Sequence, residues 1–184
     1  MKKLFILLTI LGTQAWAQTK EPSHTWEIEI DPIAYALKGY SVHGIYAPGR
    51  WRFDAGVFGI QVPESFHGNK GFSVYTQGIG VKANYLLQGT RGLFTGIGVG
   101  YSKDKVRHNQ TQASDTGHTL SVGPHIGYRF FLQKKADGTP HGLYIAPWVS
   151  VDYHLHTDKV KFQDLTYTNK NWGYFPTVHI GYRF

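Results

Sequence analysis

Thr177-Val178-His179-Ile180-Gly181-Tyr182-Arg183-Phe184 alternates without a break. Val178, Ile180, Tyr182 and Phe184 fall on one face of an extended chain, and Thr177, His179, Gly181 and Arg183 on the other. The same pattern recurs upstream. Leu120, Val122, Ile126, Tyr128 and Phe130 oppose Thr119, Ser121, Gly123, His125 and Arg129, and the hexapeptide His-Ile-Gly-Tyr-Arg-Phe stands at both 125–130 and 179–184. Beyond residue 25 no stretch carries the three-to-four spacing of an amphipathic helix, so the chain reads as all-β.

Division at the turn signals gives eight strands: Trp26–Leu37, Tyr40–Ala47, Trp51–Gln61, Ser73–Leu87, Leu93–Ser102, His118–Leu132, Leu143–His156 and Leu165–Phe184. Pro48-Gly49-Arg50, Gln88–Arg91 and Gln133–Gly142 read as turns. Val62–Phe72, Lys103–Gly117 and Thr157–Asn171 are longer and polar, and Lys38-Gly39 is a very short first connection. An even strand number with turns at one end and long connections at the other is the asymmetry of a membrane barrel.

The small residues decide which face is which. Gly78, Gly80, Gly96, Gly98, Gly100, Gly123, Gly127 and Gly181 share a face with Lys82, Asn84, Arg129, His179 and Arg183. The opposite face carries Ile79, Val81, Tyr85, Ile97, Val99 and Tyr101. Glycine beside charge suits a narrow, filled, polar lumen, and bare glycine on a water-facing convex surface would only weaken the strands. Glu27, Glu29, Asp31, Arg52, Asp54 and Asp152 join the polar face, so interlocked Arg–carboxylate pairs and no open pore are expected. The expected fold is an eight-stranded antiparallel transmembrane β-barrel with short periplasmic turns and longer extracellular loops.

Composition agrees and excludes other classes. The 184 residues are 41% apolar, 15% aromatic and 17% charged, with formal charge +7, mean hydropathy -0.30 and no cysteine. Such a chain is neither disordered nor a helical membrane protein. It has no disulfide framework, Cys-ligated metal or thiol nucleophile. Lys2 and Lys3, the apolar run Leu4–Leu11 and Ala15-Trp16-Ala17 read as a secretory signal, residues 1–17, ahead of a barrel domain at 18–184. That run is shorter than the roughly 20 residues of a spanning helix, and no Cys follows it to carry a lipid.

With these features the chain resembles the small eight-stranded outer-membrane proteins of Gram-negative bacteria, of the OmpA and OmpX type. The resemblance spans nearly the whole barrel segment and rests on pattern. It implies a monomer in the outer membrane, periplasmic termini, and a terminal Tyr182/Phe184 signal presented to the barrel-assembly machinery. It leaves function open, because this architecture hosts adhesins, anchors, conduits and lipid-modifying enzymes. Pro32, Pro124, Pro147 and Pro176 fall inside the proposed strands and are expected to mark bulges or strand ends. A secreted lipocalin-like ligand-binding barrel is the soluble alternative. Gly49-Arg50-Trp51 matches its Gly-x-Trp, but in the third strand and with no helix after the barrel.

Candidate chemistry is sparse, and the leading reading is a non-enzymatic structural or surface-interaction role with no cofactor. Ser41 and His43 share a face, as do Ser121 and His125; an outer-membrane lipid hydrolase or acyltransferase would need an acid to orient the imidazole. Asp31 is the first choice for that acid, with Glu29 or Asp54 as others, although Ser and His two apart on a strand are about 6 to 7 Å apart at Cα. His154 and His156, near Asp152 and Asp158, pose as metal ligands or as plain lumen residues. Lys103, Lys105, Arg107, Lys159, Lys161 and Lys170 lie in long connections, where lipopolysaccharide phosphates would meet them. No nucleic-acid motif occurs, and Gly96-x-Gly98-x-Gly100 lies within a strand. Trp26, Trp51 and Trp172 read as interface girdle, and Trp148 as lumen filler.

Overall fold

The computed structural model describes residues 24–89, 92–162 and 165–184; the expected signal segment lies outside them. Ten strands and two short helices follow in chain order: β1 Thr25–Ile30, α1 Pro32–Ala36, β2 Tyr40–Ala47, β3 Trp51–Val62, α2 Glu64–His67, β4 Phe72–Leu86, β5 Gly92–His108, β6 Ser114–Lys134, β7 Pro140–Thr157, β8 Val160–Phe162, β9 Leu165–Tyr167 and β10 Trp172–Arg183. Eight of them close a barrel in the order β1-β10-β7-β6-β5-β4-β3-β2, every neighbouring pair antiparallel, while β8 and β9 form a separate hairpin. No helix among the described residues is long and apolar enough to cross a membrane. The crossing is made by strands.

The burial pattern is inverted relative to a water-soluble barrel. Ile79, Val81 and Ile97 on the outer face are 59%, 55% and 55% exposed, whereas Arg52, Arg129 and Arg183 inside are 1–2% exposed. That is the arrangement lipid demands. A secreted soluble barrel would hide the aliphatic face, so the lipocalin-like alternative does not describe this molecule.

The ends differ as expected, with corrections to the boundaries. The connections 48–50 and 135–139 and the link from β4 to β5 join strands at the end holding both termini. The opposite end carries α1, α2 and the β8–β9 hairpin. β5 and β6 run on past Ser102 and start before His118, pairing from Ser102↔Thr119 to Arg107↔Ser114, so most of the proposed Lys103–Gly117 loop is a projecting ribbon. β6 has 21 residues, about twice what a spanning strand needs. The proposed last strand, Leu165–Phe184, starts seven residues too early: β10 begins at Trp172, because Leu165–Tyr167 belongs to the hairpin.

Each proline has a local explanation. Pro32 ends the first strand instead of lying in it: it opens α1, whose N-cap Asp31 accepts the Ile33 N–H at 2.8 Å. The first connection therefore spans 31–39 and is not the two residues Lys38-Gly39. On the β6–β7 ladder no pair forms at Pro124 or at Pro147, since neither ring can donate. Pro176 lies on the stretch of β10 beyond Ile30↔Ile180, where β1 has already stopped. Residues 172–179 of β10 thus have a strand partner on one side only. α1, which packs on β2, β3 and β10, stands beside that seam.

Candidate functional site

The lumen is built in three tiers. At the turn end, β1 directs Glu27 and Glu29 inward, and β3, β6 and β10 bring Arg52, Arg129 and Arg183 onto them. Arg52 Nε donates to Glu27 Oε2 at 2.9 Å and its NH2 to Glu29 Oε1 at 2.5 Å. Arg129 and Arg183 donate to Glu27 Oε1 at 2.9 and 2.7 Å. The Tyr144 hydroxyl lies 2.9 Å from Glu27 and 2.7 Å from Glu29. Phe94 stacks on Arg52, and Phe131 on Arg129 and Arg183, with guanidinium carbons 5.1–5.6 Å from the ring centroids. Every carboxylate here is paired and hydrogen-bonded, the condition for burying it at all. The side chains of Glu27 and Arg129 are fully buried here.

The middle tier is a histidine network. His43 Nδ1 is 2.8 Å from Asp54 Oδ1, and His43 Nε2 is 3.1 Å from Ser41 Oγ. Lys82 binds the other Asp54 oxygen at 2.7 Å and lies 5.1 Å over the Trp148 ring. His179 donates from Nδ1 to Glu29 at 2.8 Å, and its ring centroid is 5.0 Å from that of His43. His125 Nε2 meets the Asn84 amide oxygen at 2.5 Å.

Above this tier the lumen turns apolar. Phe72, Val74 and Val106 of β4 and β5 pack with Val160, Phe162 and Tyr167 of the hairpin as a small buried cluster. Asp104 below it accepts hydrogen bonds from Thr76 at 2.7 Å, Thr119 at 3.1 Å and Asn169 at 2.9 Å. Burial, with Asp104 nearby, pushes the Tyr167 hydroxyl above the usual phenol range.

Between the plug and the hairpin lies a cavity of about 680 Å³, within the range of small-molecule sites. Ser41, His43, Lys82, Trp148 and His179 line its floor, and Phe58, Ile60 and Phe66 one wall. The exposed aromatics Trp172 and Tyr174 border it on β10, along the seam where that strand lacks a neighbour.

The residues singled out in the sequence divide accordingly. Glu27, Glu29, Arg52, Arg129 and Arg183 meet in one cluster, and Asp54 and Lys82 pair in the next. Asp31 and Asp152 are in neither: Asp31 caps α1 and accepts from Thr177 at 2.7 Å, and Asp152 accepts from Ser150 at 2.6 Å. The acid that orients His43 is Asp54, which replaces Asp31, because the helix cap turns Asp31 away. His154 lines the cavity, whereas His156 is exposed and binds Asp158 at 3.0 Å. The register shift at Leu120/Ser121 puts the two histidines in different surroundings. Among the described residues no group of three or more His, Asp or Glu is arranged to hold a metal. Lys103, Lys105 and Arg107 stand on the outward face of β5 rather than in a loop. Asn84 and His179, placed on the polar face by the sequence, and Tyr144 join these networks as partners that alternation alone does not assign.

No family model and no curated protein matches this chain. Among solved structures, the crystal structure of Neisserial surface protein A is similar, with a TM-score of 0.54 and 10% identity, covering 89% of this chain and 98% of that one. At that identity the likeness concerns the fold alone, and the fold is that of the small eight-stranded outer-membrane barrels.

Proposed function

We propose that this protein is a monomeric, non-conducting surface barrel of the Gram-negative outer membrane that takes a small amphiphilic molecule into a blind cavity. The observation that carries this reading is the asymmetry of the lumen. It is closed by the buried Glu27–arginine cluster at the turn end and hollow toward the loop end, with an aromatic wall above a charged floor. In this reading residues 1–17 are a cleaved signal, the termini face the periplasm and the loops face outward, as in proteins of the OmpA and OmpX type. Tyr182 and Phe184 address the assembly machinery. Lys103, Lys105 and Arg107, one step beyond the apolar Val99 and Tyr101 on the outer face of β5, stand at the level of lipopolysaccharide phosphates.

The test uses the folded barrel in nanodiscs with Trp148 as its one remaining tryptophan. Dibromo-octanoate is expected to quench Trp148 saturably. Gly80→Phe, whose side chain enters the cavity from a backbone position with room for it, is expected to abolish the quenching. Planar bilayers should show no stable conductance. Unsaturable quenching indifferent to Gly80→Phe would remove the ligand reading, and steady conductance would remove the plug.

A further inference from the structure

We propose that Ser41, His43 and Asp54 form a nucleophile–base–carboxylate triad that hydrolyses carboxylic esters at the cavity floor; this rests on the reading of that cavity as a ligand site. A carboxylate can only accept, so the 2.8 Å contact places the imidazole proton on Nδ1. The Nε2 lone pair is then left to accept the Ser41 hydroxyl at 3.1 Å. This is the tautomer a general base needs, and such triads are recognised by geometry, not by order in the chain. Lys82 also approaches Nδ1, at 3.4 Å, but the Asp54 carboxylate makes the far shorter contact with that nitrogen, 2.8 Å, and Lys82 itself binds Asp54 at 2.7 Å.

Two further features separate the arrangement from ordinary lumen filler. Ser41 and His43 both border the cavity, while Asp54 stands behind them, outside its lining. The nucleophile and base thus face the space a substrate would fill, and the orienting acid does not. The register also makes room for the base: Gly56 is paired with His43, and a Cβ there would collide with the imidazole. The cavity chooses the substrate class. Phe58, Ile60 and Phe66 offer an acyl chain an apolar wall, and Lys82 and His179 on the floor are the cationic and hydrogen-bonding groups near a carbonyl oxygen.

In the first step Ser41 Oγ attacks the acyl carbon while its proton passes to His43 Nε2. The C–O bond to the alcohol breaks as His43 returns the proton to the departing alkoxide. Water, deprotonated by His43, then attacks the acyl-serine, releasing the carboxylic acid and restoring the Ser41 hydroxyl. The sum is ester plus water giving acid plus alcohol.

The experiment is covalent labelling of the folded barrel with an alkyl fluorophosphonate, which forms an Oγ–P bond as fluoride leaves with the hydroxyl proton. One adduct, mapped to the Ser41 peptide, is expected. Ser41→Ala should remove it, and His43→Gln should slow it about 100-fold or more. Asp54→Asn should slow it similarly and Asp54→Glu restore part of the rate, as befits a positioning residue. All variants are confirmed folded by gel mobility without boiling. p-Nitrophenyl octanoate and a phospholipid in mixed micelles then separate the sources: hydrolysis of the lipid would assign a membrane-resident ester reaching the site by the β10 seam, and hydrolysis of the octanoate alone a soluble one. A folded wild type that takes no label, or a label that persists in Ser41→Ala, overturns the triad. If dibromo-octanoate still quenches Trp148, the ligand reading survives that loss; if it does not, both readings fail together.

Discussion

Glu27 shows how much one side chain carries in this lumen. It meets three guanidinium groups, and all four side chains are essentially dry. Removing one member of a buried ion network strands the others, at a cost of about 3–5 kcal/mol. Glu27→Ala, which removes the carboxylate that Arg52, Arg129 and Arg183 share and leaves Glu29 paired with Arg52, is expected to lose about that much, read from the urea midpoint of detergent-refolded protein. Arg183→Ala should cost less, because Glu27 keeps two partners. Equal midpoints for the two variants would show that pairing does not hold the plug. The glycines beside the charges have a physical role that the pattern alone did not reveal. A Cβ at Gly181 would come within 2.6 Å of the Tyr144 hydroxyl, so the bare backbone is what lets the phenol reach both glutamates.

At the scale of elements, the β8–β9 hairpin is the part that sequence reading merged into its neighbours. Its strands have three residues each, too short for alternation to register. Part of its anchor is the hydrogen bonding of Asp158. Asp158 accepts from the His118 ring and backbone N–H and from His156, which hold its carboxyl below the usual carboxylate range. A carboxyl made more acidic by folding stabilises above its unfolded value, about 3.9, and that contribution is lost as pH falls through the lower folded value. Hydrogen-exchange protection of Val160–Phe162 is accordingly expected to be intact at pH 6 and reduced by pH 3. Asp158→Asn should lower it at pH 6 as well. Protection unchanged in that variant would mean that the apolar cluster alone holds the hairpin.

For the whole molecule, barrel closure makes the strands one cooperative unit, since each backbone ladder is completed only by its neighbours. Unboiled protein in dodecyl sulfate is therefore expected to keep a β-type circular dichroism spectrum and to migrate apart from boiled protein. Coincident bands with no β signal would contradict a closed barrel. The number of barrel strands, the lipid-facing and lumen-facing residues, and the presence of Arg–carboxylate pairs were all legible in the sequence, because period-two alternation is a local property imposed by two unlike solvents. Which charges meet was not. Glu27 and Arg129 are 102 residues apart, and Glu27 and Tyr144 are 117 apart; only closure and register set them face to face. Asp31 and Asp54 looked alike as carboxylates on the polar face, and a one-turn helix begun by Pro32 turned one away from His43 and left the other against it. The tertiary structure alone decided that choice, because hydrogen bonding reads distance in space, whereas alternation along a strand records only its side.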